Sequence, residues 1–305
     1  MTEPPKNLAA SIHRRLLNGA RQRGEDFQLT LLRYGAERLL YRLSRSRHNE
    51  RFVLKGALLF LLWPDQLYRP TRDIDLEGLG DSTPTTLETV FREIADVPCP
   101  DDGLRINRES VHAQEIRSAH EYGGIRITLS AFLGKAALRL QVDVGFGDAM
   151  TLTPDTVQFP TLLPLPAPIL RTYPVETVVA EKFEAITRLG RANSRMKDFR
   201  DLLTLAGRRE FDGKILTKAV RATFARRKTE LDDLQGVLGP DFYADAALGQ
   251  RWSTYRHTNA FDHPGAASFE DAGRELRRFL RPLADALRGG EAPKDWQPDS
   301  GWTSN

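Results

Sequence analysis

The stretch "RPTRDIDLEG", Arg69–Gly78, sets two aspartates one residue apart inside a strand-like run. Residues two apart in a strand point to the same face. Asp73 and Asp75 therefore project together, while Ile74 and Leu76 take the opposite, buried side. Two like charges held side by side need a compensating partner. A third carboxylate stands in a similar setting: in "LQVDV", Asp143 shares the polar face with Arg139 and Gln141. If the two strands are sheet neighbours, the three acids converge and raise one another's pKa values unless a cation joins them. Hard oxygen ligands suit magnesium, and paired ions of that kind clamp the attacking and leaving oxygens of a phosphoryl transfer. The plainer reading is an acidic turn neutralised by Arg69 or Arg72, and the pair alone does not decide between them.

Upstream, "RFVLKGALLFLLW" reads as a strand, a glycine turn and a helix that is apolar all round and hence buried. A helix start offers free N–H groups and a positive dipole end to phosphate. Gly56 permits close backbone approach there, and Lys55 adds charge. Packing alone would also explain the glycine.

The bulk numbers set the frame. The chain has 305 residues, enough for one large domain or two ordinary ones, with 40% hydrophobic and 28% charged residues, as in a soluble globular protein. Its longest apolar run, Ala57–Trp63, falls far short of the roughly 20 residues a membrane span requires. No secretory signal is visible in "MTEPPKNLAA". The single cysteine, Cys99, excludes an internal disulfide and a cysteine-built zinc site, and fits a reducing cytoplasm.

Along the chain, residues 6 to 48 read as helical, and Gly78 to Pro100 holds a turn and an amphipathic helix around Leu87, Val90, Phe91 and Ile94. "GGIRITLSAFLGKAALRLQVDVGFGD" alternates as a strand pair. Five prolines within residues 160–174 exclude helix and central strand there, which makes this stretch a connector between lobes. Helical periodicity follows from Val175 to about Leu287, and the last segment, "GGEAPKDWQPDSGWTSN", reads as a loose tail.

In "VETVVAEKFEAITRLG", Val175, Val178, Val179, Phe183, Ile186 and Leu189 form one apolar stripe, and Lys182 falls inside it. Glu181, Glu184 and Arg188 take the opposite, wet face. An ammonium on a buried stripe costs free energy unless it finds a partner or snorkels to an edge. Asp198 and Asp201 in "SRMKDFRDLLTL" are three apart and share a helical face, with Arg195 or Arg200 close by, as on an ordinary solvated ion-pair face. From Arg188 to Lys228 there are 13 Lys or Arg against four Asp or Glu, a local balance of +9 in a chain whose total is only +3. Such asymmetry favours a polyanionic partner. Trp252 in "QRWSTYRH" reads as a helix-packing residue.

Five pieces in order, "LKGALL", "RPTRDIDL", "LQVDVGFGD", "TYPVETVVAEKFEAITRLG" and "SRMKDFRDLLTL", resemble the AbiEii/AbiGii-type nucleotidyltransferases, including the MenT-like toxins, of the DNA polymerase β-like superfamily. The chain departs from that pattern at Gly56-Ala57, where the family usually has Gly-Gly or Gly-Ser. The resemblance implies an α+β fold: a polymerase β-like core with a mixed sheet, preceded by helices and followed by a mostly helical lobe. The expected limits are 1–50 for the N-terminal helical segment, 51–165 for the core, 166–289 for the helical lobe and 290–305 for a flexible tail. It further implies transfer of NMP from an NTP to the 3′ end of an RNA, the tRNA acceptor stem, with release of pyrophosphate. Asp73, Asp75 and Asp143 would hold Mg²⁺ or Mn²⁺, with Asp143 also helping to activate the hydroxyl. Lys55, Gly56, Ala57 and Arg72 would cradle the nucleotide. Lys182 would meet its phosphates, and Asp198 would orient Lys182 or hold Lys197 or Arg195 against a phosphate. Arg191, Arg195, Lys197 and Arg200 would contact RNA. The setting so implied is a cytoplasmic toxin of a type IV toxin–antitoxin or phage-defence pair, blocking translation, with an AbiEi-like winged-helix antitoxin and no membrane association. Two rivals stand beside it. One is a nucleotidyltransferase acting on a protein hydroxyl or a small molecule, and the other a non-catalytic partner-binding protein with a degenerate core.

Overall fold

The structure, a computed structural model, describes residues 7–63, 71–99, 101–116, 123–148, 151–263 and 265–303. The chain forms two compact units, residues 1–148 with 154–173, and residues 149–153 with 174–305.

The first unit begins with two helices, α1 (Leu8–Arg23) and α2 (Phe27–Arg45). The predicted continuous helical stretch is broken at Gly24, whose positive φ of 65° closes α1, and Asp26 caps α2 by accepting from the Leu29 N–H at 2.9 Å. The strands β1 (Phe52–Lys55) and β2 (Asp73–Gly78) follow, then helix α3 (Pro84–Ala95) and strands β3 (Leu104–Ile116), β4 (Gly124–Leu133), β5 (Ala136–Phe146), β6 (Asp155–Gln158) and β7 (Ile169–Thr172). Among the described residues these seven strands make one sheet in the order β3-β4-β5-β2-β1-β7-β6. Pairing is mixed: β2–β5 and β1–β7 run parallel, the other neighbours antiparallel. The α+β class with a mixed sheet is thus as expected.

One face of the sheet is apolar. Ile74, Leu76, Ile127, Leu129, Leu138, Leu140, Val142 and Val144 are all buried, and α2 lies against β5. Gly35 allows that approach, because a Cβ there would stand 2.8 Å from a Leu140 methyl. Alternation then places Asp73, Asp75, Arg126, Gln141 and Asp143 on the opposite face.

Two expectations fail here for local reasons. The helix predicted after Gly56 is a single short 3₁₀ segment, Gly56–Leu61. Ala57, Leu58, Leu59 and Phe60 are buried, as foreseen, but Trp63 precedes Pro64 in the sequence, and a residue before proline is pushed away from helical geometry. The proline-rich connector is not strand-free either, since Ile169–Thr172 sits inside the sheet between β1 and β6. Prolines 168 and 174 bracket this run without entering it, so no ladder N–H is lost. The preceding prolines are tied to α2, where Glu37 accepts from the Leu162 N–H at 2.7 Å and Arg38 donates to the Pro166 carbonyl at 2.9 Å.

The second unit comprises α4 (Val175–Leu189), α5 (Met196–Ala206), β8 (Phe211–Asp212), α6 (Gly213–Arg226), α7 (Asp233–Leu238), α8 (Pro240–Tyr243), α9 (Ala246–Thr258), α10 (Phe269–Leu287), β9 (Asp295–Gln297) and β10 (Gly301–Trp302). Phe183, Phe199, Phe224, Phe242, Phe269 and Phe279 form its aromatic core. Trp252 packs there as expected, with its indole N–H donating to Ala266.

The expected loose tail is instead ordered. Its β9 and β10 join β8 in a small sheet. Trp296 is buried and donates to the Ala206 carbonyl at 2.7 Å, and Trp302 stacks on Phe279 at 5.8 Å between ring centres. A pattern of charged, Pro- and Gly-rich residues hid two tryptophan anchors, each bringing a large apolar area to the core. Trp296→Ala is therefore expected to destabilise the protein by about 3–5 kcal/mol, measured as a lower urea midpoint. A midpoint equal to wild type would mean that the segment contributes nothing to the core.

Candidate active site

The register of the first unit brings the predicted acids together. Asp75 on β2 stands directly opposite Asp143 on β5, and Asp73 opposite Gln141. The row continues on both sides: Lys55 of β1 faces Asp75, and Arg126 of β4 faces Asp143. Four neighbouring strands thus line up Lys55, Asp75, Asp143 and Arg126, cations outside and anions inside. The two central acids sit on strands only about 4.8 Å apart, and Arg126 answers part of the repulsion that the sequence posed by pairing with Asp143.

Each end of the row is firmly engaged. Arg126 clasps Asp143 with two parallel bonds, Nε to Oδ1 at 2.8 Å and Nη2 to Oδ2 at 2.7 Å, the fork geometry that makes such pairs strong. The hydrogen bond to Asp143 is the main reason the Arg126 pKa lies above its ordinary value, with the fields of Asp143, Asp73 and Asp75 adding to it. Gln141 also donates to Asp143, at 3.3 and 3.4 Å. At the other end the Lys55 ammonium contacts Glu77 Oε2 and Asp148 Oδ2, each at 2.7 Å, with Tyr173's ring 5.5 Å away. Glu77 itself is buried and accepts from the Asp148 N–H at 2.9 Å. Lys55, expected in a phosphate cradle, thus contacts two carboxylates of its own unit.

Gly56 has a positive φ of 73°, and a Cβ there would lie 2.0 Å from Asp75 Oδ2. The turn and the acid occupy one space, which only glycine allows. Ala57 is buried and Arg72 exposed. Arg69 lies outside the described residues.

The second unit holds Lys182. Its side chain is 12% exposed, and its ammonium contacts Asp201 at 2.7 Å and Asp198 at 3.3 Å. Asp198 is also bonded by Arg195 Nε at 2.7 Å. Burial pushes the Asp198 pKa upward, but Lys182, Arg195 and Lys197 together prevail and hold it below the ordinary carboxylate value. The lysine on the apolar stripe is thus neither snorkelling into water nor uncompensated. The aspartates are not on a solvated face as first read, since α5 buries both. Glu184, placed by periodicity on a wet face, is also fully buried, because Arg227 and Thr229 close over it at 2.8 and 2.7 Å.

At least four of the stripe's 13 basic residues are engaged with acids of the same unit, while Arg208, Lys214, Lys218, Arg221 and Lys228 are exposed. Arg188 pairs with Glu184, Arg191 with Asp245, Arg195 with Asp198 and Arg227 with Glu181 and Glu184. Arg200 lies over the Phe261 ring at 4.8 Å, and Lys197 is exposed. A local charge count misses acids that come from distant parts of the chain.

Sequence reasoning overlooked Arg126, Asp201 as the closer partner of Lys182, and the Glu77–Asp148 pair. Arg126 was accessible in principle: a hairpin folded tightly about Gly134 and Lys135 puts residue 126 opposite residue 143.

Paired aspartates on one strand, with a third in register on its neighbour, define a carboxylate face of nucleotidyltransferase type. Comparison with known proteins agrees: the model of the AbiEii family, the nucleotidyl transferase toxins of type IV toxin–antitoxin systems, matches residues 38–278, and the chain belongs to that family. Among solved structures, JHP933 from Helicobacter pylori is similar at 16% identity over 83% of this chain and 90% of that one, with a TM-score of 0.44. A second Helicobacter pylori protein, described only provisionally as a nucleotidyltransferase, is similar at 15% identity over 83% of this chain and 94% of that one, with a TM-score of 0.45. No curated protein matches the chain. Among the described residues, no helix is long and apolar enough to cross a membrane.

Two consequences are measurable. Gly56→Ala is expected to cost about 1–3 kcal/mol in backbone strain and to displace Asp75, read as a lower thermal midpoint; an unchanged midpoint would mean that the turn relaxes freely. Because the folded pKa of Asp198 is depressed, its stabilising contribution is complete above the ordinary carboxylate pKa of about 3.9 and is lost as pH falls through the lower folded value. Asp198→Asn should flatten the acid limb of the stability–pH curve and cost about 3 kcal/mol at neutral pH. Parallel acid limbs for variant and wild type would remove Asp198 from the account.

Proposed function

We propose that the protein transfers a nucleoside monophosphate from an NTP to the 3′ end of tRNA, in a magnesium-dependent reaction that releases pyrophosphate and blocks translation. The observation that carries this reading is the alignment of Asp73 and Asp75 with Asp143 on one sheet face. Family membership supplies the toxin–antitoxin context, an antitoxin partner and a nucleotide substrate.

Whether these residues suit a divalent cation can be judged from the donor set. Asp73 and Asp75 supply hard oxygens on one face, and Gly56 leaves the Asp75 carboxylate room that any side chain would fill. Asp143 stands beside them but is engaged by Arg126. The residues fit, with Asp73 and Asp75 as principal ligands and Asp143 as the third candidate. When bound, such an ion offsets the negative charge of the phosphates and of the attacking oxygen. Asp143 is the residue proposed to accept the proton of the attacking hydroxyl. Lys182, held in place by Asp198 and Asp201, is proposed to meet nucleotide phosphate. Lys55, Arg72, Lys197 and the backbone at Gly56 and Ala57 are further candidates for phosphate contact. The cellular setting proposed is the cytoplasm of a bacterium, in phage defence, under an AbiEi-like winged-helix antitoxin.

The internal pairing of Arg188, Arg191, Arg195 and Arg227 favours a second reading, in which the acceptor is a protein hydroxyl or a small molecule rather than a polyanion. Incubation of the purified protein with α-labelled NTPs, magnesium and total tRNA separates the two. Label is expected in RNA for wild type and absent for Asp75→Asn and Lys182→Ala. Label in protein or small molecule with RNA blank would establish the rival acceptor, and no label anywhere would overturn nucleotidyl transfer.

A further inference from the structure

The sheet face that bears the aspartates continues beyond them. β4 carries no acid at all, and β5 only Asp143. From the acidic row toward the turn at Gly134, the register partners on this face are Thr128 with Gln141, Ser130 with Arg139, and Phe132 with Ala137. The path is open to solvent: Arg139 and Ala137 are exposed, and Thr128, Ser130, Phe132 and Gln141 are half-buried. Ile125, Ile127, Leu129 and Leu133 go to the buried side of β4, so Phe132 is the one large apolar group that this strand turns the other way. It is also the register partner of exposed Arg105 on β3, whose guanidinium lies over the ring at 4.6 Å.

Neutral hydrogen-bonding groups, then a cation, then a ring with a guanidinium layered on it form a succession suited to unpaired nucleotides. Phosphate meets arginine, and a base stacks on flat side chains. Asp143 and Ala137 are six residues apart on β5, which is roughly 20 Å of strand. A stacked nucleic-acid strand advances about 3.4 Å per nucleotide, and an extended one roughly twice that. The flat pair therefore meets a base about three to six positions from a 3′ end held at the acids.

We propose that this open face is the acceptor subsite: it takes the unpaired 3′ strand of an RNA, with Arg139 on a phosphate and the Arg105–Phe132 pair against a base. The inference deepens the proposed function and rests on its RNA acceptor.

Binding of a short single-stranded RNA to the full-length protein, with neither NTP nor metal present, tests it apart from catalysis. Anisotropy gives affinity, and 2-aminopurine placed at successive positions from the 3′ end reports stacking by its quenching. Quenching is expected to peak at about the third to sixth position in wild type. Phe132→Leu should remove that peak and weaken binding about tenfold, while Phe132→Tyr keeps both. Arg139→Gln should lower the salt slope of binding by about 0.7; because Arg139 is exposed, this arm stands whatever Phe132→Leu does to stability. Arg47→Gln removes an equal charge from an exposed pair with Glu93 and is expected to bind as wild type does. Uniform quenching along the RNA, a Phe132→Leu that keeps the peak, or an Arg47→Gln as weak as Arg139→Gln overturns the subsite. So does a wild type that binds no single-stranded RNA. If tRNA is nevertheless labelled from NTP, the failure is the subsite's alone; label found only in protein means that the RNA acceptor has failed with it.

Discussion

Two carboxylates on adjacent parallel strands cannot stand alone, and the sheet is arranged around that constraint. Asp75 and Asp143 are locked opposite each other by the β2–β5 register, because a slip of one residue would turn buried Ile74 and Val142 into the polar face. Compensation therefore has to come from the strands on either side. β4 supplies Arg126, which pairs with Asp143, and β1 supplies Lys55, which pairs with Glu77 further along β2, so the strand order decides which acids of this face are compensated. The apolar face and the charged face are two aspects of one alternation, and neither can be shifted without the other.

The second unit solves a related problem with opposite signs. There the difficulty is an ammonium on an apolar helix face, and the answer is two aspartates from the following helix. Asp198 and Asp201 bury almost completely to reach Lys182. Arg195 in turn satisfies the remaining oxygen of Asp198, which keeps the cluster from carrying an unpaired charge. Such an arrangement fixes the lysine's position tightly, because moving it would strand two buried anions.

Alternation made much of this legible in sequence. The faces of β2 and β5, the β4–β5 hairpin and the α3 amphipathic stripe follow directly from period-two and helical patterns. The misreadings share a cause, which is that periodicity describes one element and burial depends on its neighbours. Glu184 sat on the polar side of its helix, yet Arg227 arrives from after α6 to cover it. Trp296 and Trp302 lay in a segment whose composition suggests disorder, and their anchorage on Ala206 and Phe279 comes from elsewhere in the chain. Asp73, Asp75 and Lys182 could be singled out because each breaks a local rule. Arg126 breaks none, being an ordinary exposed-side residue of a strand, and only pairing reveals its importance.

The place of β7 has a bearing on synthesis. β1 is made early and β7 more than a hundred residues later, yet the two are neighbours, joined at Leu54 and Thr172. On a ribosome, β1 is consequently left as an open edge until residue 172 has cleared the exit tunnel. A nascent chain can assemble the hairpins and pair its acids well before that, but the flank bearing Lys55 is sealed last. An exposed strand edge of this kind is a natural foothold for chaperones during the interval, and the order of emergence leaves β1 paired on one side only until nearly all of its unit has been translated.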